Sequence, residues 1–318
     1  MKNFTSVSDI SNVTDLVDKA IELKKNPVDL AAGKGKTLGL LFFNPSLRTR
    51  LSSQKAAYNL GMNVITLNIN EEGWKIEFED GAVMDQGSQE HIKDAVRVIS
   101  QYCDILGVRT FANLKNREED YQEKILSRFV AHATIPVISL ESATLHPLQS
   151  LADLLTIKEQ GITRPKVAVT WAPHPRSLPQ AVVNSFLEWI VKTDAEVVLT
   201  HPRGYELNEK FTTGVTINYD QEEALAGADF VYAKNWSAYE AYGEKISEDP
   251  AWTITKEKMS LTNNGRFMHC LPIRRNVVAT DEVIDNSLVI QQAENRTYAA
   301  QIVLKTLLKT QHEIVESH

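Results

Sequence analysis

Short apolar runs and amphipathic stretches take turns along the chain. KTLGLLFF (36–43), NVITL (63–67), DILGVR (104–109) and IPVISL (135–140) have the length and continuous hydrophobicity of buried strands. Around them, residues 14–25, 48–60, 91–102, 118–131 and 147–160 carry apolar residues at helical spacing. A second series starts at PKVAVTW (165–171) and runs through AEVVLTH (195–201), GVTIN (214–218), ADFVYA (228–233) and RFMHCL (266–271), with helical patterns at 178–191 and 220–226. Such alternation predicts an α/β protein with parallel sheets in two domains. The turn-rich EQGITRPK (159–166) marks the expected junction between them. The last helical pattern, 291–309, has no strand after it and is expected to pack back on the first domain.

Composition narrows the class. A chain of 318 residues with 43% hydrophobic positions can bury two cores. No apolar run reaches the roughly 20 residues of a membrane span, and MKNFTSVSDISN lacks the apolar core of a signal peptide. Two cysteines, Cys103 and Cys270, make no disulfide framework, and no Cys/His spacing resembles a metal site. A cytoplasmic protein without a membrane partner is expected. The net charge of −7 argues against nucleic-acid binding but leaves room for a local anion site.

The candidate chemistry sits where strands end, because ligands of open α/β sheets collect at the carboxyl ends of strands. Ser46-Leu47-Arg48-Thr49-Arg50 follows the first strand and opens a helix, where free N–H groups, hydroxyls and a guanidinium fork suit a phosphate. The plain alternative is an N-capping serine beside surface arginines. Neither GxxxxGK[ST] nor GxGxxG occurs, which removes the ordinary ATP and dinucleotide fingerprints. Arg109 ends its strand, His146, Pro147 and Gln149 follow VISLESAT in HPLQSLAD, HCLP (269–272) follows another strand, and Arg296 opens the last helix. Polar groups at so many strand ends suggest one cleft. The run KNREEDYQEK (115–124) reads as a solvated helix face, and His269 as a structural histidine.

Together, S-x-R-T-R, H-P-x-Q-x-L-x-D and H-C-L-P resemble the aspartate/ornithine carbamoyltransferases, over residues 46–272. The resemblance implies two doubly wound parallel-sheet domains with the active site in the cleft between them. Residues 1–147 would bind carbamoyl phosphate, with a C-terminal helix 291–318 packed on them, and residues 148–290 would bind the amino acid. Ser46, Leu47, Arg48, Thr49 and Arg109 would hold the phosphate. His146 and Gln149 would contact the carbamoyl group, and Cys270, Leu271 and Arg296 would close the site, with a cis Leu271–Pro272 bond. Arg109, His146, Gln149, Cys270 and Arg296 form the implied catalytic set. No nucleophile, metal or cofactor is implied.

Departures from the ornithine type suggest an acylated amine. ADFVYAKNWSAYEAYG (228–243) lacks Ser-Met-Gly, and Lys234 would repel an α-ammonium group. The proline-rich TWAPHPRSLPQAV (170–182) resembles the loop of N-acylornithine carbamoyltransferases, which is threaded into a trefoil knot. His174, Arg176 and Lys234 would form a basic wall, with Glu141 on the substrate's nitrogen side. Residues 70–94 are too long for a simple connection. By resemblance they reach a neighbouring subunit, so that Trp74 covers carbamoyl phosphate in a homotrimer with shared sites. Glu90 would repel a succinyl carboxylate, which favours N-acetylornithine, with N-succinylornithine second and free ornithine third. An inactive relative that merely binds carbamoyl phosphate is the reading from a different class.

Overall fold

The protein is described here by a computed structural model covering residues 1–85 and 87–316; the tail of the expected helix at 317–318 lies outside the described residues. The chain forms two compact units. The first comprises Met1–Ala112, Glu118–Leu148 and the chain from Arg296 onward, the second Asn113–Arg117 and Gln149–Asn295. The turn-rich 159–166 is therefore not the junction. It lies within the second unit, because the helix Pro147–Glu159 bonds to that unit through Asp153 and Thr156.

In the first unit, strands β1 (Thr37–Phe42), β2 (Asn63–Asn68), β3 (Ile105–Arg109) and β4 (Val137–Glu141) form a parallel sheet in the order β2-β1-β3-β4. Chain order reverses between β1 and β3, so the crevice at their carboxyl ends is this sheet's switch point. Leu41, Leu106, Val108 and Val137 bury one face against Ile92, Val96, Leu126 and Phe129 of helices Ile92–Tyr102 and Lys124–His132. The C-terminal helix Val289–Glu316 is fixed to this unit by Gln301, whose side chain accepts from Asn59 (2.9 Å), and by Lys305 on Asp29 (2.8 Å).

In the second unit, β5 (Lys166–Trp171), β6 (Glu196–Thr200), β7 (Thr216–Asn218), β8 (Phe230–Lys234) and β9 (Arg266–Met268) run parallel in the order β9-β8-β5-β6-β7. Here the switch point lies between β5 and β8, whose last residues Trp171 and Lys234 are register partners. Ala168, Val231, Phe267 and Val278 belong to the core beside it.

Two expectations are corrected. The helix expected over 118–131 breaks into Arg117–Tyr121 and Lys124–His132, with Glu123 in the left-handed region at φ 51°. Nor is 115–124 a solvated face: Asp120 is buried, and the Glu123 carboxylate turns inward onto residues 142–144. The long connection 70–94 carries a short parallel pairing of Ile76–Glu77 with Glu90–His91, which the sequence pattern did not show. Asp80 ties this arm to both outer helices through Lys93 (2.5 Å) and Arg128 (2.7 Å), which hold its carboxyl at about 2.

Candidate active site

At the first switch point, β1 runs through Phe43–Pro45 into a helix that starts at Arg48. The N-cap residue Leu47 makes no capping hydrogen bond, so the first N–H groups of a 12-residue helix are not satisfied by a side chain. The Arg109 side chain crosses to this turn from the end of β3. Its Nη1 donates to the carbonyls of Asn44 (3.1 Å) and Pro45 (2.6 Å), and its Nη2 to Glu141 (3.0 Å). The β3–β4 register slips between Val108 and Arg109, which sets Arg109 opposite Glu141. Arg296 reaches the same turn from the C-terminal helix and donates to the Thr49 hydroxyl (2.7 Å).

Arg48 stands close enough to Arg109 to depress its pKa. Burial is the larger cause of that lowering, and Glu141 opposes it. Guanidinium groups from residues 48, 109 and 296 thus gather on the six-residue turn 44–49. Arg48 Nε and Arg109 Nε are buried without a hydrogen-bond partner among the described residues. Each such donor costs about 1–3 kcal/mol unless something accepts from it, and a multivalent anion would answer both. His146 belongs to the same group, with its Nε2 3.6 Å from Glu141. Glu141 therefore faces Arg109 and His146 from the end of β4.

Trp74 and Glu90, assigned separately from the sequence, are one group: the Trp74 indole N–H donates to the Glu90 carboxylate at 2.7 Å. Trp74 is exposed and lines a groove of about 500 Å³ with Phe43, Asn44 and Phe111, next to the β1 and β3 ends.

The second unit collects the remaining candidates. From β5, the chain turns through Ala172–Pro179, and the segment after β8 is tied to that turn. Ala172 N–H donates to Lys234 O (3.1 Å), the Asn235 amide to Ala172 O (2.8 Å) and Ser237 N–H to Leu178 O (2.9 Å). The His174 ring folds onto the Arg176 backbone, whose N–H donates to Nδ1 (3.1 Å). Burial depresses the His174 pKa, and Lys234, Arg274 and Arg176 depress it further; the contact with the Arg176 carbonyl works the other way. Positive charges of the expected basic group thus act on His174. Arg274 acts with them; sequence reasoning did not single it out, although RR directly after LPI was a visible signal. Cys270 is buried, and the Leu271–Pro272 bond is cis as expected, with Leu271 at φ 58°. His269 accepts the Leu271 N–H on Nδ1 (2.8 Å), consistent with a structural role. Gln149 is buried in this unit, its amide on Asp153.

Sequence reasoning also missed Glu123. Its carboxylate accepts from the Ser142 hydroxyl (2.7 Å), Ala143 N–H (3.1 Å), Thr144 N–H (2.7 Å) and the Thr144 hydroxyl (2.5 Å), which pins the loop leading to His146. No local pattern announces that role for a glutamate between two helices.

Parallel sheets with charged groups at both switch points, one of them a three-arginine turn, define an anion-using α/β enzyme class. The comparisons make it particular. Residues 2–159 match aspartate/ornithine carbamoyltransferase, carbamoyl-P binding domain, and residues 179–307 match aspartate/ornithine carbamoyltransferase, Asp/Orn binding domain. The chain belongs to the aspartate/ornithine carbamoyltransferase family. It is 54% identical to the N-succinylornithine carbamoyltransferase of Bacteroides fragilis, over 97% of this chain and 99% of that one. It is 36% identical to the N-acetylornithine carbamoyltransferase of Xanthomonas axonopodis pv. citri, over 96% of each. Among solved structures, acetylornithine transcarbamylase complexed with acetylcitrulline superposes with a TM-score of 0.91 at 36% identity, over 96% of this chain and 99% of that one.

Proposed function

We propose that the protein transfers the carbamoyl group of carbamoyl phosphate to the side-chain amine of N-acetyl-L-ornithine, giving N-acetylcitrulline and phosphate, as a cytoplasmic step of arginine biosynthesis. The observation that carries the reading is the gathering of Arg48, Arg109 and Arg296 on the turn 44–49. There, Ser46, Leu47 and Thr49 offer backbone N–H groups and hydroxyls to phosphate oxygens. The neutral amine attacks the carbamoyl carbon, the bond from that carbon to the phosphate oxygen breaks, and the amine proton leaves with phosphate. Charge builds first on the carbonyl oxygen, near which Arg109 and His146 act as donors, and then on phosphate. Glu141 keeps the Arg109 fork and the His146 ring aimed. In the second unit, Leu271, Cys270 and the basic residues His174, Arg176 and Lys234 receive the acylated amino acid, whose carboxylate and acyl oxygen suit positive charge. The unusual arm 70–94, with Trp74 at its corner, supports a homotrimer in which the arm serves a neighbouring subunit.

N-succinyl-L-ornithine is the second reading, favoured by the relative from Bacteroides fragilis at 54% identity. Glu90 is the reason for placing acetyl first, since a carboxylate there opposes a second one. A solved structure bears on this: a glutamate-to-proline variant of N-acetyl-L-ornithine transcarbamylase complexed with carbamyl phosphate and N-succinyl-L-norvaline. The test is citrulline-type product formation with N-acetylornithine, N-succinylornithine and ornithine side by side, repeated with Glu90→Pro. Transfer to free ornithine alone would overturn the acyl reading. A preference for succinylornithine in the unaltered protein would reverse the order of the two acyl groups.

A further inference from the structure

The last residue of the H-P-x-Q-x-L-x-D motif has no role in the chemistry above, yet Asp153 is fully buried at 0% exposure. Its Oδ1 accepts from the Gln149 amide nitrogen (2.8 Å) and from the Gln292 amide nitrogen (2.9 Å), and its Oδ2 from the Tyr232 hydroxyl (2.8 Å). Gln292 cannot turn over, because its amide oxygen accepts the His269 backbone N–H (2.9 Å). With that nitrogen committed to Oδ1, the oxygen is a fixed acceptor. The nearby Gln149 amide must therefore present its nitrogen to Asp153 and its oxygen away from it. That oxygen is buried and has no partner among the described residues.

We infer that Asp153 is a positioning residue that locks Gln149 with its carbonyl oxygen forward, so that the site selects an acyl phosphate bearing an N–H donor. This rests on the carbamoyl phosphate reading and deepens it. Carbamoyl phosphate carries an NH₂ where acetyl phosphate carries a methyl group. A forward-facing Gln149 oxygen accepts from the first and is left buried and unpaired by the second, the situation in which polar sites discriminate most strongly. The same aspartate oxygen also holds Gln292, and through it the His269 backbone just ahead of Cys270 and Leu271. One buried carboxylate thereby orients two of the motif segments within the second unit.

The experiment compares the KM for carbamoyl phosphate with the Ki of acetyl phosphate as a competing ligand, in the full-length protein and its variants. Asp153→Leu leaves Gln149 free to rotate. The KM should rise about tenfold or more, one lost hydrogen bond's worth, while the Ki changes less than about threefold. Asp153→Asn keeps an acceptor facing both amides and should retain the wild-type ratio within about threefold. If Asp153→Leu does not fold, Asp153→Ser decides. Its short hydroxyl stays polar among Gln292 and Tyr232 but does not reach the Gln149 amide, so the KM should again rise relative to the Ki. A KM and Ki that rise together in either variant, or an unchanged KM, would overturn the inference. Wild-type turnover with acylated ornithines, measured alongside, separates the two readings: an inactive wild type overturns carbamoyl transfer itself, whereas an active wild type with an indifferent Asp153→Leu overturns only the role of Asp153.

Discussion

The two switch points hold their charges differently. At the first, arginine forks are buried, bound to carbonyls, to Thr49 and to Glu141, and already aimed. At the second, Arg176 is exposed, Lys234 is partly buried, and His174 leans on its own loop. Fixed donors suit a charge that develops at one place in a transition state. Looser, exposed cations suit recognition of a group that varies between relatives, such as an acyl chain. The contrast predicts that damage to the first site appears in kcat and damage to the second in the KM for the acylated amino acid.

The largest effect should follow Arg48→Ala. Its guanidinium serves no packing role that the structure shows, so the protein should remain folded while kcat/KM falls by about 10²- to 10³-fold. A loss under tenfold in steady-state assays would remove Arg48 from the set of preorganised donors. Next comes Glu123→Ala, which removes the carboxylate that the Ala143 and Thr144 N–H groups and the Ser142 and Thr144 hydroxyls donate to. The expected cost is about 2–4 kcal/mol of stability, read by denaturant unfolding, together with a lower kcat from a displaced His146. Unfolding that matches wild type would mean the loop before His146 is held by something else.

Arg176→Ala should act on the other side of the comparison. The KM for the acylated ornithine should rise up to about tenfold, with the KM for carbamoyl phosphate unchanged and stability within about 0.5 kcal/mol of wild type. A kcat effect without a KM effect would erase the distinction between an aimed site and a receiving one.

The same contrast governs what the sequence allowed to be read. Nine strands were legible because buried strands run as continuous apolar segments, and the helix start within 46–50 because it directly follows one of them. Chain order alone does not state that β1 sits between β2 and β3, or β5 between β6 and β8, so the switch points waited for the fold. Glu123 and Arg274 escaped for separate reasons. Glu123 acts across the turn from a charge-rich run that looks solvated, and its left-handed backbone has no glycine to signal it. Arg274 lies two residues beyond a cis proline, where the direction of the chain is not deducible from pattern. Trp74 and Glu90 were assigned separate roles from the sequence, and only their hydrogen bond makes them a single feature.

The smallest prediction concerns His174 and tests whether it sits in a half-buried, positively charged setting in the second unit. Burial, followed by the positive charges of Lys234, Arg274 and Arg176, holds its pKa below the ordinary 6.5, against the pull of the Arg176 carbonyl. In the unfolded chain the imidazole takes up a proton near its ordinary value, while in the folded chain it resists until the pH is lower. Between those two pKa values the unfolded state binds more protons, so stability falls with the pH. The contribution is intact above 6.5 and is lost as the pH drops through the lowered value. His174→Asn removes this titration and leaves the other histidines in place. Thermal midpoints of the two proteins should therefore run parallel above about pH 7.5 and converge or cross in the variant's favour toward about pH 5. Parallel curves over the whole range would mean that neither burial nor the basic residues around His174 perturb its titration.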